Sequence, residues 1–117
     1  MKPKKLKSIS RLKREADAVF SKWIRARDGR CVTCSSTEYL QNGHYVPRNW
    51  MALRYDERNC NAQCMRCNVF MKGAMDLYAL YLVSEYGPNI LKELNALKRP
   101  HQFKRKDYEE IIQKYKI

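Results

Sequence analysis

The sequence predicts an α+β chain, mostly helical, in which a short metal-braced hairpin sits between an amino-terminal helix and a helical carboxy-terminal half. Three observations carry that expectation. Apolar residues recur at helical spacing near both ends, two Cys-x-x-Cys pairs stand at Cys31/Cys34 and Cys64/Cys67, and turn formers (Ser35-Ser36, Asn42-Gly43, Pro47) interrupt the stretch between the pairs. A chain of 117 residues is one domain's worth, and no internal repeat or composition shift divides 1–117.

Residues 1–9 form a basic arm, and seven Lys or Arg precede the first acidic residue, Glu15. Such a run is a solvated tail or a non-specific phosphate contact. From 10 to 28 a helix is expected: Leu12, Ala16, Val19, Phe20 and Trp23 make its core stripe, Ser8 or Ser10 can cap its start, and Asp28-Gly29 ends it. Its opposite face carries Arg11, Lys13, Arg14, Lys22 and Arg25. Segment 31–73 holds all five cysteines, with short strands expected around 38–46 and 51–56 and a short helix over 65–72 that stops at Gly73. The helical part 74–117 has three runs. One covers 74–86 and breaks at Gly87-Pro88; one is marked by Ile90, Leu91, Leu94 and Leu97; the last, 105–116, shows Tyr108, Ile111, Ile112 and Tyr115 at i, i+3, i+4 and i+7. Tyr78, Tyr81 and Tyr86 fit core or dimer contacts better than base-stacking platforms, and the helices over 74–98 are a candidate homodimer face.

Lys plus Arg number 24 against 12 acidic residues, a net charge of +12. A polyanion would bind such a surface and release counterions, so nucleic acid is the first candidate partner. No run of about 18 apolar residues exists to span a bilayer, and the start Met-Lys-Pro-Lys-Lys-Leu-Lys has no apolar stretch behind it. The sequence therefore predicts no membrane partner and a cytoplasmic location.

In a reducing compartment five cysteines are not expected to be disulfides. Two residues between thiolates let the backbone aim both sulfurs at one ion, and two such pairs complete a tetrahedron. Cys31, Cys34, Cys64 and Cys67 are thus expected to hold one structural Zn²⁺, with no open position for chemistry. The gap between the pairs, residues 35–63, is 29 residues long and contains His44 and Asn59. Cys60 reads as a small core residue. His44 follows Asn42-Gly43 on a polar hairpin and is needed neither for the zinc nor, with polar neighbours, for a core; a surface histidine and a general base both remain open.

Gly43-His44-Tyr45, then Leu53-Arg54-Tyr55-Asp56-Glu57-Arg58-Asn59, then Gln63-Cys64-Met65-Arg66-Cys67-Asn68 resemble the HNH, or ββα-metal, nucleases, and more narrowly the phage NinG/Rap recombination endonucleases. The resemblance covers about 10–115, and its specific part is 31–73. It implies a ββα-metal core and a metal-dependent endonuclease of phage recombination that cuts branched DNA such as Holliday junctions and D-loops, in the host cytoplasm. It also implies roles. His44 is the general base, Asn59 makes the hydrogen bond that orients it, and Asn68 offers its amide oxygen to a catalytic Mg²⁺ or Mn²⁺; in the alternative, His44 itself binds the metal and another group is the base. Many HNH enzymes carry a metal ligand immediately before the base, where this chain has Gly43; Asn42 and Asp56 are the candidates to replace it. The family often has His where this chain has Asn61. Arg48, Arg54, Arg58 and Arg66, with Lys72, cluster around these residues in sequence; singly each fits a solvated face, and as a group they fit DNA phosphate binding. The alternative reading is a non-catalytic zinc-finger DNA-binding module, which explains zinc and charge but not the positions of His44, Asn59 and Asn68. An RNA-binding zinc ribbon fits the charge and has no positive signal.

Overall fold

A hairpin with almost no hydrophobic sequence signature is buried between two helical layers. The computed structural model describes residues 5–117; the first four residues of the basic arm lie outside the described residues. In chain order the elements are α1 (Ile9–Asp28), β1 (Leu40–His44), a 3₁₀ turn (Met51–Leu53), β2 (Cys60–Cys64), a π-helical turn (Arg66–Phe70), α2 (Met75–Tyr86), α3 (Ile90–Ala96) and α4 (Arg105–Tyr115). Helices take about half the chain rather than most of it.

The long first helix forms where the periodicity predicts it. Ser8 accepts the Arg11 N–H at its start, and Gly29 ends it in the left-handed region (φ 69°), where a side chain would be strained. Leu12, Ala16, Phe20 and Ile24 are its buried stripe. Phe20 meets Tyr115 of α4 edge-on at 4.7 Å, and Trp23 meets it at 4.9 Å. At the end of α1, Asp28 accepts the Ala62 N–H at 2.7 Å, and Arg27 donates to the carbonyls of Glu57 and Cys60. These contacts fasten the helix to β2.

β1 and β2 pair antiparallel, with His44 opposite Cys60, Asn42 opposite Ala62 and Leu40 opposite Cys64. Alternation sends these residues to the face covered by α1, where Cys60 and Ala62 pack on Phe20 and Ile24. Gly43, Asn61 and Gln63 belong to the opposite face, under α2. There the buried Tyr78 hydroxyl donates to the Gly43 carbonyl at 2.6 Å and accepts from the Asn61 amide. Tyr78 leads a core of Val46, Leu53, Leu82, Ile90 and Leu94; Tyr81 is half-buried beside it, and Tyr86 is exposed.

The second strand is not at 51–56. Met51–Leu53 form a 3₁₀ turn instead, and the strand is Cys-Asn-Ala-Gln-Cys, buried along its whole length. Its amides satisfy partners on neighbouring elements, so it lacks the β-branched residues and alternation that mark strands in sequence. The short helix over 65–72 is a π-helical turn over Arg66–Phe70. No helix among the described residues is long and apolar enough to cross a membrane.

Candidate functional site

Two clusters of reactive side chains lie at the hairpin. In the first, the sulfurs of Cys31, Cys34, Cys64 and Cys67 all lie within 4.8 Å of one another, and Cys34 and Cys64 are 3.5 Å apart. A zinc–thiolate tetrahedron with bonds of about 2.3 Å has sulfur–sulfur edges of about 3.8 Å, so the four cysteines are placed to hold a metal such as zinc. The first knuckle turns back through Ser35 N–H to the Cys31 carbonyl, with Ser35 at a left-handed φ of 69°. The second knuckle joins the end of β2 to the π-helical turn. Burial opposes the Cys31 thiolate, but the Thr33 hydroxyl and nearby backbone N–H groups outweigh it and lower the thiol to about 6. Burial pushes the Cys67 thiol up to about 12. Metal binding would therefore release protons and weaken in acid. Cys60 stands apart, fully buried against the Leu53 and Arg54 carbonyls, as a core residue should.

The second cluster lines an open pocket of about 350 Å³ between α1, β1 and the π-helical turn: Asp17, Phe20 and Ser21 from α1, Asn42 and His44 from β1, then Arg48, Arg54, Tyr55 and Asn68. His44 and Asn68, distant in sequence, thus face one cavity. The His44 Nε2 lies 3.0 Å from the Arg54 carbonyl. A carbonyl only accepts, so Nε2 carries the proton and Nδ1 keeps its lone pair. Burial lowers the His44 pKa; the Arg54 carbonyl opposes this, and the Arg54 and Arg48 charges add to it. Asn68 donates its Nδ2 to Gln41 at 2.8 Å, which leaves its oxygen as the uncommitted atom. The Asn42 Oδ1 is buried and, like the Gln63 Oε1 on the other face of the hairpin, has no hydrogen-bond partner among the described residues. Asn42 and Asn68 thus bring amide oxygens, the donor type that suits a hard divalent cation, to the lining of the same pocket as a neutral imidazole.

Several expected roles change. Asn59 does not touch the imidazole. It is fully buried, accepting the Val46 N–H at 2.8 Å and donating to the Val46 and Leu53 carbonyls, so it shapes the loop that follows His44. Removing it strands one donor and two acceptors; Asn59→Ala is expected to cost about 3 kcal/mol, measured by denaturant unfolding of the zinc-loaded protein. Asp56 is not at the pocket and instead accepts the Arg58 and Asn59 N–H groups. Position 43 faces away from the cavity, and a Cβ there would collide with Gln63, which is why Gly43 cannot supply a ligand. Asn61 is buried and bonds to the Arg58 carbonyl and to Arg27.

The cationic group also divides. Arg54 is 8% exposed and bound through two nitrogens to Asp17, at 2.9 and 2.6 Å, so it is not available to DNA. Arg58 pairs with Glu93 at 3.0 Å and lies outside the pocket. Arg48 is exposed at the pocket rim, Arg66 shares a surface groove with Cys34 and Cys64, and Lys72 is exposed in the left-handed region. Sequence reasoning missed Asp17. The available signal was an acid next to the α1 apolar stripe (one residue after Ala16), on a helix otherwise rich in Lys and Arg.

The family model described as "Bacteriophage Lambda NinG protein" matches residues 1–117. Among curated proteins, "Protein ninG" of Escherichia phage 933W is 30% identical over 109 residues, covering 87% of this chain and 53% of that protein. The Salmonella phage P22 protein of the same name is 29% identical with the same coverage, and that of Escherichia phage lambda is 30% identical over 97 residues, 77% of this chain and 47% of its own. The chain spans about half the length of the curated relatives it matches. No solved structure matches it significantly.

Proposed function

The chain belongs to the NinG family of phage proteins, and on that footing we propose that it is a zinc-braced, metal-dependent DNA endonuclease of the HNH type that cuts branched DNA during phage recombination. The observation that carries this reading is the convergence of the His44 imidazole and the Asn68 amide on one open pocket, Asn68 being the residue that follows Cys67 of the four-cysteine cluster. A passive zinc-finger module explains the cysteines and the +12 charge but gives no reason for a proton-free imidazole nitrogen in a cavity.

His44 Nδ1 takes a proton from the water that attacks the scissile phosphorus, and the Arg54 carbonyl on Nε2 disperses the charge that the ring acquires. The bond to the 3′-oxygen breaks as the new one forms. Arg48 at the rim binds the phosphate. Asn68 and Asn42 would hold Mg²⁺ or Mn²⁺ through their amide oxygens, which leaves His44 Nδ1 free to act as the base. That cation supplies charge neutralisation at the phosphate and the leaving oxygen. A two-fold dimer through α2, whose Leu77 and Leu80 are exposed, would present two such pockets to the arms of a junction.

A general base must be neutral, and burial makes His44 neutral at lower pH than usual. The cleavage rate is therefore expected to rise with pH through a pKa below the ordinary histidine value of about 6.5; an acid limb above that value would exclude His44 as the base. For binding, about five neutralised phosphates would give a log–log salt slope near −4.5, roughly a 10²–10³-fold loss between 50 and 200 mM salt. The substrate class is tested by comparing cleavage of a labelled four-way junction with the matching linear duplex. Preferential cutting of the junction supports it, and equal cutting reduces the reading to a general endonuclease.

A further inference from the structure

The pocket contains an ion pair that the chemistry above does not use. Asp17 of α1 accepts from Arg54 Nε at 2.9 Å and from the Tyr55 hydroxyl at 2.8 Å through one oxygen, and from Arg54 Nη2 at 2.6 Å through the other. Arg54 Nη1 donates to the Arg48 carbonyl at 3.2 Å. The guanidinium is thereby anchored on both sides, one anchor in α1 and one at the opposite end of its own loop. The main-chain carbonyl of the same arginine accepts from His44 Nε2 at 3.0 Å and from the buried Cys60 thiol at 3.4 Å.

From this geometry we infer that Asp17 and the Arg54 side chain are a positioning pair for His44: α1 sets the place of the loop carbonyl that fixes the imidazole. The inference rests on His44 being the working group of the pocket. Arg54 acts through its carbonyl, not on the phosphate, and Asp17 acts through Arg54. Loops outside regular structure are held by side chains where backbone ladders end, and residue 54 lies between the 3₁₀ turn and β2, where no ladder reaches it. A fork bound by two nitrogens fixes orientation as well as distance, which a single lysine contact would not do. The Tyr55 hydroxyl on the same carboxylate ties the next residue to the same point on α1.

The test uses the full, zinc-loaded chain and the variants Asp17→Asn and Asp17→Leu/Arg54→Met. Loss of one partner of a mostly buried pair destabilises more than replacement of both by apolar side chains, so the double variant supplies a folded protein where the single one fails. The first readout is the His44 Nε2 proton by NMR, with the exposed His101 as internal reference. In the wild type, the carbonyl-bonded proton is expected as a downfield resonance protected from water exchange; in the variants it broadens away. The second readout is junction cleavage, with kcat falling ten- to a hundred-fold and KM unchanged, and partial recovery in Asp17→Glu. A folded variant that keeps the protected proton and the wild-type kcat overturns the inference. If the wild-type chain cuts no DNA, the nuclease reading fails while the proton measurement still decides the positioning role.

Discussion

Stripping the metal from the four cysteines, or changing Cys31 or Cys64 to Ser, is expected to unfold the central hairpin and take the whole chain with it. A structural zinc contributes on the order of 10 kcal/mol, while a domain of this size has about 5–15 kcal/mol of total stability. Around the two knuckles themselves the apolar packing is thin. The buried residues of the cysteine cluster are Cys31, Cys64 and Cys67 themselves, and the strand between the knuckles is built of amides and small side chains. Loss of the metal would also free the π-helical turn that places Asn68 at the pocket. Thermal unfolding followed by far-UV circular dichroism, with and without a zinc chelator, checks this. A cooperative transition unchanged after complete zinc removal would mean that the cysteines are packing residues only.

Changing His44 to Ala is expected to lower the cleavage rate a hundred- to ten-thousand-fold, the range over which a positioned general base contributes, with DNA binding kept. Binding should survive because a net charge of +12 would attract DNA without His44, which is neutral in its half-buried setting. Stability should change little beyond the one hydrogen bond to the Arg54 carbonyl. Single-turnover cleavage alongside a gel shift separates the two effects. Equal loss of binding and cutting would make His44 a structural residue of the loop, and unchanged cutting would move the base elsewhere in the pocket.

The parts of this molecule that were legible in the sequence are those set by local spacing. Paired knuckles two residues apart aim their thiolates together through short backbone turns, and the ends of α1 follow from Ser8 and Gly29. The α2, α3 and α4 boundaries follow from apolar periodicity and from Gly87-Pro88. What was illegible depends on residues far apart in the chain. β2 is buried, yet it is written in Asn, Gln and Ala, because Tyr78, Gly73 and Asp28 from three other segments take up N–H donors of Asn61, Gln63 and Ala62. Arg54 looked like a phosphate ligand by company, whereas its partner Asp17 lies 37 residues earlier. Asn59 was legible as a residue of the site but not in its contacts, since its bonds run to backbone atoms of Val46 and Leu53, which carry no side-chain signature. Gly43 shows the same limit: its lack of a side chain answers to Gln63 across the sheet.

Incubating the zinc-loaded chain with an end-labelled four-way junction in Mg²⁺, in Mn²⁺ and in EDTA separates cleavage from mere binding. The zinc must remain bound in the EDTA arm, which a parallel measurement of protein-bound zinc verifies. Cut arms are expected with either added cation and none in EDTA. Tight, salt-sensitive binding that leaves the junction intact under both cations would contradict the nuclease reading, and the protein would then be a zinc-braced DNA-binding module.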